Sequence, residues 1–95
     1  MPTPRGLTYL RALGLSEVDL ARATAAADDR AERVAQLAAT AGRLERLIDR
    51  DLVAVWLRTS IPALRWATPL DLIGSGDHHL VAGVVADLEE EAAGR

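Results

Sequence analysis

Val34, Leu37, Ala41, Leu44 and Ile48 follow one another at alternating spacings of three and four residues. At 3.6 residues per turn, that spacing sets all five along one narrow apolar stripe of a helix, and no β-strand could hold them on one face. The stripe predicts a long helix from about residue 29 to 48. Such a stripe lines a seam between helices, either inside one chain or between two copies. The expectation drawn from it is a two-fold homodimer joined along these five residues. Gly42 lies mid-helix, where it costs roughly 1 kcal/mol relative to Ala and weakens the expectation of an unbroken rod.

The rest of the chain is punctuated in the same helical manner, and no segment alternates as a half-buried strand would. Gly6 through Leu13 reads as a short helix stopped by Gly14. Ser16 with Asp19 three residues later forms an approximate capping box for a helix over about 17–27. Asp28 and Asp29 offer the next cap, with Glu32 completing a box from Asp29. Asp49 or Asp51 restarts a helix carrying Leu52, Val53, Val55, Trp56 and Leu57, which Thr59, Ser60 and Pro62 interrupt. Thr68-Pro69-Leu70-Asp71 is a compact start signal, with Thr as cap and Pro at the first helical position. Gly74 and Gly76 close that turn. From about Asp77 to Ala92 a last amphipathic helix carries Leu80, Val81, Val84, Val85 and Leu88 on one side. The predicted fold is all-α, a small compact bundle of about five helices with a C-terminal amphipathic helix.

Composition sets what such a bundle can be made of and what it can do. The 95 residues include Tyr9, Trp56, Trp66 and no Phe, so Leu, Val, Ile and Ala must build the core. The absence of cysteine excludes disulfides, thiolate zinc sites and thiol chemistry. No apolar run approaches the roughly 20 residues of a membrane span, and the first residues lack a signal peptide's apolar region, which makes the cytoplasm the expected location. Residues 1–50 carry eight Arg against seven acids, whereas residues 51–95 carry three Arg against seven acids. An acidic second half suits a basic protein surface rather than nucleic acid, whose phosphates need clustered cations.

The residue types of catalysis are thin. Asp77-His78-His79 is the one cluster with metal-ligand or acid–base character, and adjacent helical residues project about 100° apart, too far to share a metal easily. His78 and His79 read as first-turn surface residues after an Asp cap. Gly74-Ser75-Gly76 is too short for a phosphate-binding loop. Neither an enzyme nor a cofactor is expected. Arg43, Arg46 and Arg50 form either a solvated face or a contact to a partner. Glu89-Glu90-Glu91 is either a solvated helix end or an acidic plug for a cationic cleft. Trp56 reads as a core anchor or a binding residue.

Trp56-Leu57-Arg58, then Pro62 and Leu64, then Thr68-Pro69-Leu70-Asp71-Leu72 closely resemble the toxin-binding domain of Xre/MbcA/ParS-type bacterial antitoxins, over about residues 34–90. Ile61 stands where that family usually has Asn, and Arg65-Trp66 replaces its usual glycines. The resemblance implies an antitoxin of a type II toxin–antitoxin system, whose partner is a RES-domain enzyme that degrades NAD and whose C-terminal segment covers the toxin's active-site cleft. Many members also carry an N-terminal helix-turn-helix. Here Leu15-Ser16 and Asp19-Leu20-Ala21-Arg22 look like its opening helix, but the turn before a recognition helix is missing. Residues 1–33 are therefore expected to be a degenerate or truncated helix-turn-helix and residues 34–95 the toxin-binding domain, with a DNA-binding regulator as the alternative reading. The expected partner contacts are Arg65, Trp66, Asp77, His78, Glu89, Glu90, Glu91 and Arg95.

Overall fold

Leu10 to Leu15 shows how local chemistry sets the path of the chain. Helix α1 (Arg5–Ala12) stops at Gly14, whose φ of 101° is open to glycine at little cost. The amide of Leu15 then donates to the Leu10 carbonyl at 3.2 Å and that of Gly14 to the Arg11 carbonyl at 3.0 Å. This is the paired closure of a Schellman motif, and it turns the chain directly into the next cap. Ser16 Oγ accepts the Asp19 amide at 3.2 Å while the Asp19 carboxylate accepts the Ser16 amide at 2.8 Å, the reciprocal box expected from the sequence. Helix α2 (Glu17–Ala23) follows.

The computed structural model describes residues 5–24 and 30–94. The leading prolines, the end of the second predicted helix, the Asp28 and Asp29 cap and Arg95 lie outside the described residues. Helix α3 (Arg30–Glu45) passes unbroken through Gly42, with Tyr9 packed over that position and its hydroxyl donating to Glu45 at 2.6 Å. Burial, reinforced by that hydrogen bond, pushes the Tyr9 pKa up to about 12. The helix ends three residues before the expected 48. Tight bonds from the Leu47 and Ile48 amides to the Leu44 carbonyl, both 2.9 Å, turn the chain there. Helix α4 (Arg50–Arg58), a 3₁₀ turn (Pro62–Leu64), α5 (Pro69–Gly74) and α6 (His78–Ala93) complete the chain. The described residues thus form an all-α bundle of six α-helices and contain no strand. None of the helices is long and apolar enough to cross a membrane.

Leu7, Leu10, Leu13, Leu15, Leu20 and Ala23 from the first two helices and the turn between them join Val34, Leu37, Ala41, Leu44, Val53, Leu57, Leu70, Ile73, Val81 and Val85 in one buried cluster. The stretches on either side of residue 33 therefore share one core. This arrangement corrects the reading of the α3 stripe. Val34, Leu37, Ala41 and Leu44 are at most 2% exposed within a single chain, in a helix that packs against α1, α2, α4, α5 and α6, so no second copy can reach them. Ile48, past the helix end, is half-buried. It lines a shallow groove with Leu47, Leu88, Glu91 and Ala92. The stripe is an internal seam, not a dimer seam.

Polar locks fix the angles between helices. Asp19, only 4% exposed, accepts from the Arg58 guanidinium at 2.6 and 2.9 Å, and Arg58 also donates to the Gly14 carbonyl at 2.8 Å. Arg22 donates to both Asp71 oxygens, at 2.8 and 2.9 Å, and to Thr68 Oγ1 at 2.9 Å. Where α2 and α5 meet, the backbones nearly touch. A Cβ on Gly74 would lie 2.0 Å from the Arg22 carbonyl oxygen.

Candidate partner interface

Two prolines and a web of main-chain bonds build the loop between α4 and α5. Pro62 opens the 3₁₀ turn with its fixed φ, and the Leu64 amide donates to the Ile61 carbonyl at 2.9 Å. The Arg65 amide then bonds the Pro62 carbonyl at 2.9 Å and the Trp66 amide returns to the Ile61 carbonyl at 3.0 Å. Ile61 N–H to the Ala67 carbonyl, at 3.1 Å, closes the loop on itself. Thr68 caps α5 by accepting the Asp71 amide at 3.2 Å, and Pro69 follows at its first position, as the sequence predicts.

The closure forces an unusual backbone at its apex. Arg65 and Trp66 have φ of 56° and 67°, the left-handed region that glycine fills most easily. A non-glycine residue there costs about 1–2 kcal/mol. Neither side chain recovers that cost inside the chain. Trp66 is 69% exposed, and Arg65 is exposed with no ion pair or side-chain hydrogen bond among the described residues. The loop is thus rigid in its main chain and outward in its side chains. Next to it, Ala63, Leu64, Arg65, Leu72 and Leu80 line a groove of about 360 Å³ between the 3₁₀ turn and α6. Leu80, 46% exposed, forms its rim, while its helical neighbours Val81 and Val85 are fully buried.

Compared with protein-family models, curated proteins and solved structures, the chain matches none.

The residues expected from sequence to meet a partner fall into two groups. Arg65 and Trp66 lie at the loop, near the α6 start. Glu89, Glu90 and Glu91 lie near the other end of α6, about 15 Å along the helix from the groove's Leu80. Glu89 is not a free plug: it pairs with Arg43 of α3, which holds its carboxyl below the ordinary range. Glu90 is exposed beyond it. Asp77 precedes α6, but its carboxylate accepts the Ser75 hydroxyl at 2.7 Å and makes no cap bond. His78 is half-buried rather than a surface residue. Burial, with Arg43 and His79 nearby, pushes its imidazole below the ordinary value. His79 is exposed, and no group of three metal-ligating side chains occurs among the described residues.

Of the motif residues, Leu57, Leu64, Pro69 and Leu70 are buried, and Trp56 and Leu72 pack half-buried against the core. Pro62 is exposed at the turn, Arg58 and Asp71 serve the polar locks, and Thr68 is both cap and lock. Tryptophan 56 is thus an anchor and tryptophan 66 the outward indole. The sequence reading missed the groove, because Leu80 shares its helix stripe with residues that are fully buried.

Proposed function

We propose that this chain is the antitoxin of a type II toxin–antitoxin pair, neutralising a RES-type, NAD-degrading toxin by covering its active-site cleft. The observation that carries the reading is Trp66. A large apolar side chain is presented mostly to solvent on a loop held by main-chain hydrogen bonds, at a backbone cost that no side-chain hydrogen bond or ion pair among the described residues offsets. Tryptophan is enriched among the few residues that dominate interface energies, and a preorganised loop loses little entropy when it docks. An uncompensated outlier of this kind points toward a function outside the fold. The resemblance carried by Trp56-Leu57-Arg58, Pro62, Leu64 and Thr68 to Leu72 supplies the class of partner.

Inhibition in this reading is occlusion. An enzyme that binds the NAD pyrophosphate needs cations in its cleft, and carboxylates near the α6 end, Glu90 foremost, suit those cations. The DNA-binding alternative finds less support. Arg22, Arg33, Arg43 and Arg58 are engaged by Asp71, the Ile73 carbonyl, Glu89 and Asp19, which takes four of the cations on these helices away from a phosphate-binding role.

The test is NAD consumption by the product of the adjoining reading frame, titrated with this chain. Stoichiometric inhibition is expected. Trp66→Ala should weaken it by about 2 kcal/mol, some thirtyfold, with an unchanged melting curve. Removal of residues 90–95, which spares the Arg43–Glu89 pair, should also weaken it. Undiminished NAD loss in the presence of excess wild-type chain overturns the reading.

A further inference from the structure

We propose, resting on the antitoxin reading, that the groove between the 3₁₀ turn and α6 receives an apolar side chain of the toxin carried beside a carboxylate, with Arg65 pairing to that carboxylate at the rim. The shape of the occupant follows from the lining. Ala63, Leu64, Leu72 and Leu80 offer aliphatic walls, and Leu80 is left 46% exposed beside residues that the core buries completely. Covering that surface removes apolar area from water, which favours an aliphatic or aromatic visitor over a polar one.

The charge of the occupant follows from Arg65. It is the one charged residue among the described residues that line the groove. Arg22, Arg43 and Arg58 each have a carboxylate within the chain, whereas Arg65 has none among the described residues. A basic segment would be repelled there, and a wholly acidic one would leave the aliphatic walls uncovered. An apolar residue next to an Asp or Glu satisfies both. The planar guanidinium favours a carboxylate that can be held by two parallel bonds. The Arg65 amide is tied to the Pro62 carbonyl at 2.9 Å, so the side chain springs from a fixed point. This surface is separate from the acidic end of α6, and the two would grip differently charged parts of one toxin.

The test uses the full chain and the adjoining-frame toxin, with affinity measured by titration calorimetry and inhibition by NAD loss. Arg65→Glu and Leu80→Asp should each weaken binding at least tenfold, and Arg65→Gln less. Raising salt should weaken wild type more steeply than Arg65→Gln, because only the wild type loses a screened ion pair. Val18→Asp, at an exposed apolar residue of α2 away from the groove, should bind as wild type. Melting curves report that each variant is folded, as expected for exposed positions. Wild-type affinity in both Arg65→Glu and Leu80→Asp, with weakened binding on loss of residues 90–95, overturns the groove proposal and leaves the antitoxin reading standing. Failure of wild type to bind the toxin overturns both. Self-association of the free chain that Arg65→Glu abolishes would give the groove to a second copy and also overturn the proposal.

Discussion

Gly74 and the pair Arg65–Trp66 meet opposite demands in opposite ways. At Gly74 the backbone of α5 lies against that of α2 so closely that a Cβ would sit 2.0 Å from the Arg22 carbonyl oxygen, and the residue present is the one with no side chain. Nine residues earlier the loop adopts φ of 56° and 67°, where glycine would be easiest, and the residues present are two of the bulkiest. The arginine beside Gly74 is also engaged within the chain: Arg22 holds Asp71 and Thr68, as Arg58 holds Asp19 elsewhere on α2. At the loop, Arg65 is exposed and holds no side-chain partner among the described residues. The first region is arranged for the stability of the bundle. The second departs from what stability alone would select, which is what the proposed contact surface would require.

Substitutions that exchange the two patterns test this contrast. The largest effect belongs to Gly74→Ala, which must push α2 and α5 apart against backbone rather than a yielding side chain. The loss should be about 3 kcal/mol or more, read as a lower midpoint in urea. A midpoint within experimental error of wild type would mean that the junction yields freely, and the contrast would collapse. Asp19→Ala comes next. It removes one side of the capping box and leaves Arg58 without its carboxylate, but Arg58 is 39% exposed and can recover water, so about 2 kcal/mol is expected. The same pair sets an acid limit. Arg58 holds the Asp19 carboxyl, and Arg22 the Asp71 carboxyl, below the ordinary carboxylate range. Their contribution is complete above the unfolded-state value of about 4 and fades as pH falls from there through the lower folded-state values. Wild type should therefore lose stability on acidification more steeply than Asp19→Ala. Parallel pH profiles would show that the pair contributes little.

Much of the bundle was legible because helix punctuation is local. The Ser16–Asp19 box, the Gly14 stop and the Thr68-Pro69 start each depend on residues within one turn of each other, and the structure shows all three. The α3 stripe was legible as buried but not as to what buries it. A spacing of three and four reports the direction of a face, and the face proved to be buried within the same chain, in a helix packed by α1, α2, α4, α5 and α6. The locks were illegible for a related reason. Asp19 and Arg58 lie 39 residues apart and Arg22 and Asp71 lie 49 apart, and no periodicity links positions on different helices. At the loop, Arg65-Trp66 could be marked as standing where the resembled family has glycines, and the outward indole follows. The groove beside it needed the fold, because it joins a turn and a helix start that are sixteen residues apart between Leu64 and Leu80.

The smallest effect is the sharpest test, because it has the unusual sign. Arg65→Gly relieves a left-handed residue of its Cβ crowding, worth about 1–2 kcal/mol, and adds freedom to the unfolded chain that takes back about 0.5–1 kcal/mol. The free chain should gain about 0.5–1 kcal/mol, a rise of roughly 3–5 °C in melting temperature for a domain of this size. Arg65→Ala is the control. It removes the same guanidinium but keeps a Cβ at φ 56°, so it should melt with wild type. Both variants lose the rim charge and, on the proposed function, should bind the toxin more weakly, so stability and affinity part company in Arg65→Gly alone. Were Arg65→Gly to melt at or below wild type, the loop backbone would carry no relievable strain, and the argument that Arg65 and Trp66 are kept for contact at the expense of stability would fail.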